Sequence, residues 1–283
     1  MSRSVFVDIE APKLRLHALE AGQGEAVLMV HGWPTSSHLW RNIVDPVAAG
    51  GFRALALDLP GFGRSDKPAG DSYSFNYQDR AIEAALDGLG VEKVNLVVHD
   101  LGGPVGLYWA HRHPERVSRI ALLNTVVYPE LSWAARLFLL GVRVPLARDL
   151  AASPWGLRQA MRLGVEHKER LTPAVMAGYL DPFKESSART ALLRTASRLH
   201  VDGIRSLARW LPSFKGPLHI IYGENDRILP DVAETMARVV AESPHARKTS
   251  LPGCGHFLQE DEPEEIARLL LEWLAEPLAP ARP

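Results

Sequence analysis

Cysteine is nearly absent. The chain holds one, Cys254, so no internal disulfide can form and the fold must rest on packing alone. An excess of one charge is also missing: 32 lysines and arginines stand against 33 aspartates and glutamates, for a formal net charge of −1. That balance removes the general attraction to nucleic acid that a strongly basic protein has. The expected partner is a small neutral molecule, with no nucleic acid and no membrane. No uninterrupted apolar run approaches the ~20 residues that a membrane-spanning helix needs. The segment MSRSVFVDIEAPKLRL has no apolar stretch ahead of a small-residue cleavage site, which together with the lone cysteine predicts a cytoplasmic setting. No histidines and cysteines cluster at zinc-ligand spacing, and LDLPGFGRSDKP does not follow the pattern of a phosphate-binding loop despite its glycines. Neither a metal nor a cofactor is expected.

What is present suits one α/β domain: 283 residues, 46% of them hydrophobic, can bury a large core. Apolar runs of strand length occur at 26–31, 52–58, 94–99 and 119–124, each followed by glycine, proline or polar residues. Such runs fit parallel strands covered on both faces. Residues 77–90 and 102–113 between them read as helices, the first capped by Gly90. From 125 to 212 strand character disappears and an arginine- and tryptophan-containing helical stretch takes over. A strand returns at 217–223, then a helix at 231–241, a strand at 246–251 and an amphipathic helix at 263–275. The reading is an α/β core, 1–124 with 213–283, interrupted by a helical cap at 125–212. The tail EPLAPARP is expected to be disordered.

LVVHDLGGPVG (96–106) runs from an apolar strand through a tight turn into a helix, the layout of a nucleophile elbow, with Asp100 at its tip. Aspartate is also a common helix N-cap, so the turn alone does not make Asp100 reactive. Two further segments follow in the order that a nucleophile, acid and histidine set requires. YGENDRILP (222–230) offers Asp226, ahead of Glu224, and LPGCGHFLQEDEP (251–263) places His256 in a glycine-rich loop. Upstream, HGWPTSS (31–37) occupies the position of an oxyanion loop, where the backbone N–H of Trp33 and that of Leu101 would donate to a developing oxyanion. His31 and Pro34 shape that loop without a chemical step of their own.

Together HGWPTSSHLWRNI, LDLPGFGRSDKP, VVHDLGGPVGLYWAHRHPERV and GHFLQEDEPEEIA resemble the haloalkane dehalogenase and epoxide hydrolase branch of the α/β-hydrolase superfamily. The likeness covers nearly the whole chain and is weakest in the cap. It implies an aspartate nucleophile where esterases carry serine. Such a carboxylate is ionised at neutral pH and needs no base to attack an sp3 carbon bearing a leaving group. Asp100 would be alkylated, and His256, supported by Asp226, would activate water to hydrolyse the ester.

The leaving group divides the branch. The family's halide donors, a tryptophan after the nucleophile and an asparagine in the oxyanion loop, are replaced by Leu101 and Trp33. An indole from Trp33, or from Trp133, Trp155 or Trp210 in the cap, is the remaining candidate, each with a packing role as the alternative. For epoxide opening, Tyr179 in AVMAGYLDPF is the candidate acid, again with packing as the alternative, while no second tyrosine stands near Leu193. Val98 before His99–Asp100 and the PTSSHLWRN run tilt the likeness toward dehalogenases, with epoxide hydrolysis and then a non-catalytic ligand-binding role behind. Cap arginines Arg136, Arg143, Arg148, Arg158 and Arg162 could meet an anion, but at helical spacing they read as a solvated face.

Overall fold

A computed structural model of the chain describes residues 1–198 and 201–278. Eight strands form one sheet: β1 (Arg3–Glu10), β2 (Lys13–Ala21), β3 (Ala26–Val30), β4 (Arg53–Leu57), β5 (Val94–Asp100), β6 (Val117–Thr125), β7 (Leu218–Gly223) and β8 (Arg247–Leu251). Their order is β1-β2-β4-β3-β5-β6-β7-β8, with β2 antiparallel to both β1 and β4 and all other pairs parallel. The central runs are apolar throughout because both faces are covered: every residue of β3 and of β5 is buried. Leu55, Leu28, Leu96, Ile120 and Leu218 pair in a single row across five strands, each no more than 1% exposed. Each such side chain stabilises the fold by roughly 2 kcal/mol relative to exposure.

The β1–β2 hairpin has no counterpart in the sequence reading, which begins its strands at residue 26. β1 is an edge strand with only Val7 and Ile9 buried, and its RSVFVDIE alternates weakly between faces. It pairs with β2 from Arg3↔Glu20 to Glu10↔Lys13.

Helices α1 (Arg41–Ala49), α2 (Phe75–Gly88) and α3 (Gly102–Arg112) connect the strands of the first half. The first predicted helix ends two residues early, and Gly90 takes the left-handed φ of 63° that closes its C-terminus, with the Val91 N–H returning to the Leu86 carbonyl. Between β6 and β7 no strand occurs among the described residues. That stretch holds six α-helices: α4 (Trp133–Gly141), α5 (Pro145–Ala151), α6 (Pro154–Gly164), α7 (Pro173–Leu180), α8 (Ser186–Arg198) and α9 (Val201–Trp210). The second half of the core adds α10 (Val232–Glu242), α11 (Leu258–Asp261) and α12 (Pro263–Ala275), whose Ile266, Leu270 and Trp273 are buried. Of the tail, residues 279–283 lie outside the described residues. No helix among the described residues is long and apolar enough to cross a membrane. Because β3, β5, β6 and β7 run parallel, the loops at their C-terminal ends meet along one edge, the usual place for a site in an open parallel sheet.

Candidate active site

β5 ends in a sharp turn. Asp100 takes φ of 52°, a left-handed conformation uncommon for a residue with a Cβ, and this lifts its carboxylate off the end of the strand. Close packing holds the turn. Thr125 donates its hydroxyl to the Asp100 carbonyl at 2.6 Å, and a Cβ on Gly32 would fall on the Asp100 carboxylate. Glycine at 32 is therefore a steric requirement of the Asp100 turn. The backbone N–H of Trp33 donates to Asp100 Oδ1 at 2.6 Å, and the Leu101 N–H also favours the ionised carboxylate.

The second oxygen faces the imidazole: Asp100 Oδ2 lies 3.4 Å from His256 Nε2. That nitrogen has no aligned hydrogen-bond partner, so the contact is one of charge. On the other side of the ring, His256 Nδ1 donates to Asp226 Oδ2 at 2.8 Å. Asp226 is in turn fully engaged. Its Oδ1 accepts the N–H groups of Ile228 and Leu229 at 2.8 and 2.7 Å, and its Oδ2 accepts Asn124 Nδ2 at 2.8 Å. Glu224, the second choice for the acid, is exposed two residues away.

Charge follows from this geometry. Burial opposes the imidazolium of His256, but the carboxylates of Asp226 and Asp100 outweigh it and raise the group to about 10. Burial pushes Asp100 upward as well; His256 leads the interactions that reverse this and leave Asp100 below its ordinary value. His99, fully buried, falls to about 3 and stays neutral, its Nε2 donating to the His256 carbonyl at 2.9 Å.

In front of Asp100 lies a cavity of about 270 Å³. Its walls include Trp33, Leu101, Phe138, Leu163 and Ile228, and among the described residues Asp100 and Arg227 are its only charged lining. The Trp33 ring meets Phe138 edge to face at 4.7 Å, and its indole N–H is buried without a partner.

The family described as "alpha/beta hydrolase fold" matches residues 25–263. A haloalkane dehalogenase of Agrobacterium fabrum is 31% identical, over 94% of this chain and 90% of the relative. The chain belongs to the haloalkane dehalogenase branch of the α/β-hydrolases. The crystal structure of the haloalkane dehalogenase DbeA from Bradyrhizobium elkani superposes with a TM-score of 0.85 at 26% identity, covering 97% of this chain and 98% of that one. A cis-3-alkyl-4-alkyloxetan-2-one decarboxylase of Shewanella oneidensis is 30% identical over 93% of this chain and 86% of its own. The protein is thus a hydrolase of the dehalogenase type.

Within this dehalogenase-type fold, four of the leaving-group candidates chosen from the sequence fall elsewhere. Tyr179 is 2% exposed and does not line the cavity. Its hydroxyl donates to Glu260 Oε1 and also meets Arg41, while Arg41 forks onto Glu260 at 2.5 and 2.8 Å. A phenol committed to a buried carboxylate, and pushed well above its ordinary value by burial and by Glu260, is not a free acid over Asp100. No tyrosine among the described residues lines the cavity. The cap tryptophans miss it too: Trp133 and Trp155 are exposed, and Trp210 packs on His111 and Phe214.

Two supporting residues escaped the sequence reading. Asn124, with φ of 33°, donates to Asp226 and to the Gly255 carbonyl and accepts the Gly223 N–H at 2.9 Å. Asp261 accepts the N–H groups of Gly255, Glu166 and His167, each at 2.8 Å, tying the histidine loop to the segment of the cap that follows α6. The turn chemistry of LLNT and LQED held the only local hint, since short polar side chains at element ends commonly bond backbone.

Proposed function

We propose that the protein hydrolyses the carbon–halogen bond of a small apolar substrate through an alkyl ester of Asp100. The observation that carries this reading is a carboxylate with one oxygen held by the Trp33 N–H and the other turned toward His256, at the wall of a mainly apolar cavity. Oδ2 attacks the carbon from the side opposite the halogen; the C–O bond forms as the carbon–halogen bond breaks and halide leaves. The indole N–H of Trp33, buried and without a partner, is the donor available to the departing halide. Water then adds to Cγ, giving its proton to His256 Nε2. Oδ1, already held by the Trp33 N–H and with the Leu101 N–H beside the same carboxylate, carries the oxyanion until alcohol is expelled with a proton from the histidine.

The ester itself prepares the base. Free His256 is held protonated by two carboxylates, and alkylation removes the charge of one, so the ring yields its proton more readily once the intermediate exists. Incubation with a panel of haloalkanes, epoxides and oxetan-2-ones, reading halide, diol and carbon dioxide separately, tests the assignment. Halide release without diol or carbon dioxide is expected. Diol alone would select epoxide hydrolysis, carbon dioxide alone the decarboxylase chemistry named for the Shewanella relative, and tight ligand binding without product a non-catalytic role.

A further inference from the structure

Among the described residues, eight of the eleven exposed large hydrophobic residues fall between Trp133 and Leu163, in the α4 to α6 segment. On an ordinary amphipathic helix the outward face is polar. α4 reverses this: Trp133, Leu137 and Leu140, spaced to share one face, are 72%, 62% and 59% exposed, while Ala134, Ala135, Phe138 and Leu139 line the cavity behind them. Leu146 at 82% and Trp155 at 58% continue the exposed series on α5 and α6. Leu163 is half exposed and also lines the cavity, so the cavity reaches the surface beside these residues.

The same segment is strongly cationic. Residues 131–163 contain five arginines and one carboxylate, Asp149, a formal +4 in a chain whose total is −1. All five arginines are exposed, and only Arg148 pairs with a carboxylate among the described residues. Next to them a separate pocket of about 170 Å³ is walled by Arg158, Arg162 and Lys168 with Leu171, Pro173 and Met176, and no acidic residue among the described ones lines it.

We propose that the α4–α6 face docks on an anionic phospholipid surface. Exposed indoles and leucines enter the acyl boundary, the arginines among them meet the headgroup layer, and the Arg158–Arg162–Lys168 pocket takes a headgroup phosphate. A second copy of the chain fits poorly, because a two-fold contact would set +4 against +4. An acidic protein partner would satisfy the charge, but the opening of the catalytic cavity beside the apolar face favours a phase in which lipophilic substrates dissolve. Run length bears only on membrane-spanning helices, so a peripheral contact revises the expectation of no membrane partner without requiring such a run.

The test is sedimentation of the full chain with vesicles of phosphatidylcholine alone and of phosphatidylcholine mixed with phosphatidylglycerol. This readout is binding, not turnover, so its outcome is independent of the reading of Asp100. Expected are pelleting with the anionic vesicles only, weakening as salt rises, and loss of at least about tenfold in affinity in a Trp133→Ser, Leu137→Ser, Trp155→Ser variant and in an Arg158→Glu, Arg162→Glu variant. Unchanged thermal midpoints would accompany both, since the side chains are exposed. Absence of pelleting, equal binding to neutral vesicles, retained binding in either variant, or a solution dimer dissociated by the same substitutions would overturn the proposal.

Discussion

Two buried, charged clusters in this protein look alike until their surroundings are compared. Asp100, His256 and Asp226 form one; Glu260, Arg41 and Tyr179 form the other. In both, carboxylates are almost wholly shielded and reached by short polar contacts. In the second, Arg41 forks onto both oxygens of Glu260 and Tyr179 adds a hydroxyl, so the charge is satisfied within the cluster. In the first, Asp226 alone is satisfied in this way. Asp100 keeps an oxygen turned to an apolar cavity, and His256 Nε2 keeps a lone contact of 3.4 Å to it. Burial and perturbed titration mark both sites; incomplete bonding beside empty space marks the one proposed for chemistry.

Substitutions should separate the two. Asp100→Asn, which tolerates the left-handed turn better than most residues, should lower kcat/KM by about 10⁴ or more with the thermal midpoint almost unchanged. Arg41→Ala should do the reverse. It strands Glu260, 1% exposed, without its counter-charge, and urea unfolding should show a loss of about 3 kcal/mol while kcat/KM of the folded enzyme stays within about twofold. An Arg41 variant as inactive as the Asp100 variant would erase the distinction.

The pH dependence sharpens it further. Alkylation needs ionised Asp100, which is held below its ordinary value, so a halide burst followed by quench flow should be flat from about pH 5 to about pH 9. Ester hydrolysis needs neutral His256. With Asp100 esterified, the ring should titrate below the value of about 10 found with both carboxylates charged, and steady-state turnover should rise about tenfold per pH unit beneath that point. A burst that tracks the steady state would remove the histidine from the second step. The smallest effect belongs to Tyr179→Phe, which should cost about 1 kcal/mol in urea unfolding and alter haloalkane and epoxide activities equally. A selective loss on epoxides would return Tyr179 to the site.

These contrasts also explain what could be read from the chain. Asp100 is announced by a strand, a turn and a helix within eleven residues, and His256 by a glycine-rich loop before the last helix, so both are legible locally. The cluster around Tyr179 is not: its partners lie 81 and 138 residues away, and nothing in AVMAGYLDPF foretells them. Asn124 closes the last turn of an apolar strand, where its side chain reaches Asp226 across 102 residues. The β1–β2 hairpin was hidden for another reason. An edge strand with two buried side chains carries too little alternation to stand out from a loop. The exposed apolar face of α4 was equally hidden, because WAARLFLLG has apolar residues on every side and only the structure shows which of them meet the cavity.

The central claim is that Asp100 itself supplies the oxygen of the first product molecule. A single turnover in heavy-oxygen water, with enzyme in excess over a haloalkane, tests it directly. The released alcohol should carry ordinary oxygen, and the heavy atom should appear in the peptide containing Asp100. Heavy oxygen in the first alcohol, with that peptide unlabelled, would mean that water attacks the substrate directly and would contradict the ester mechanism.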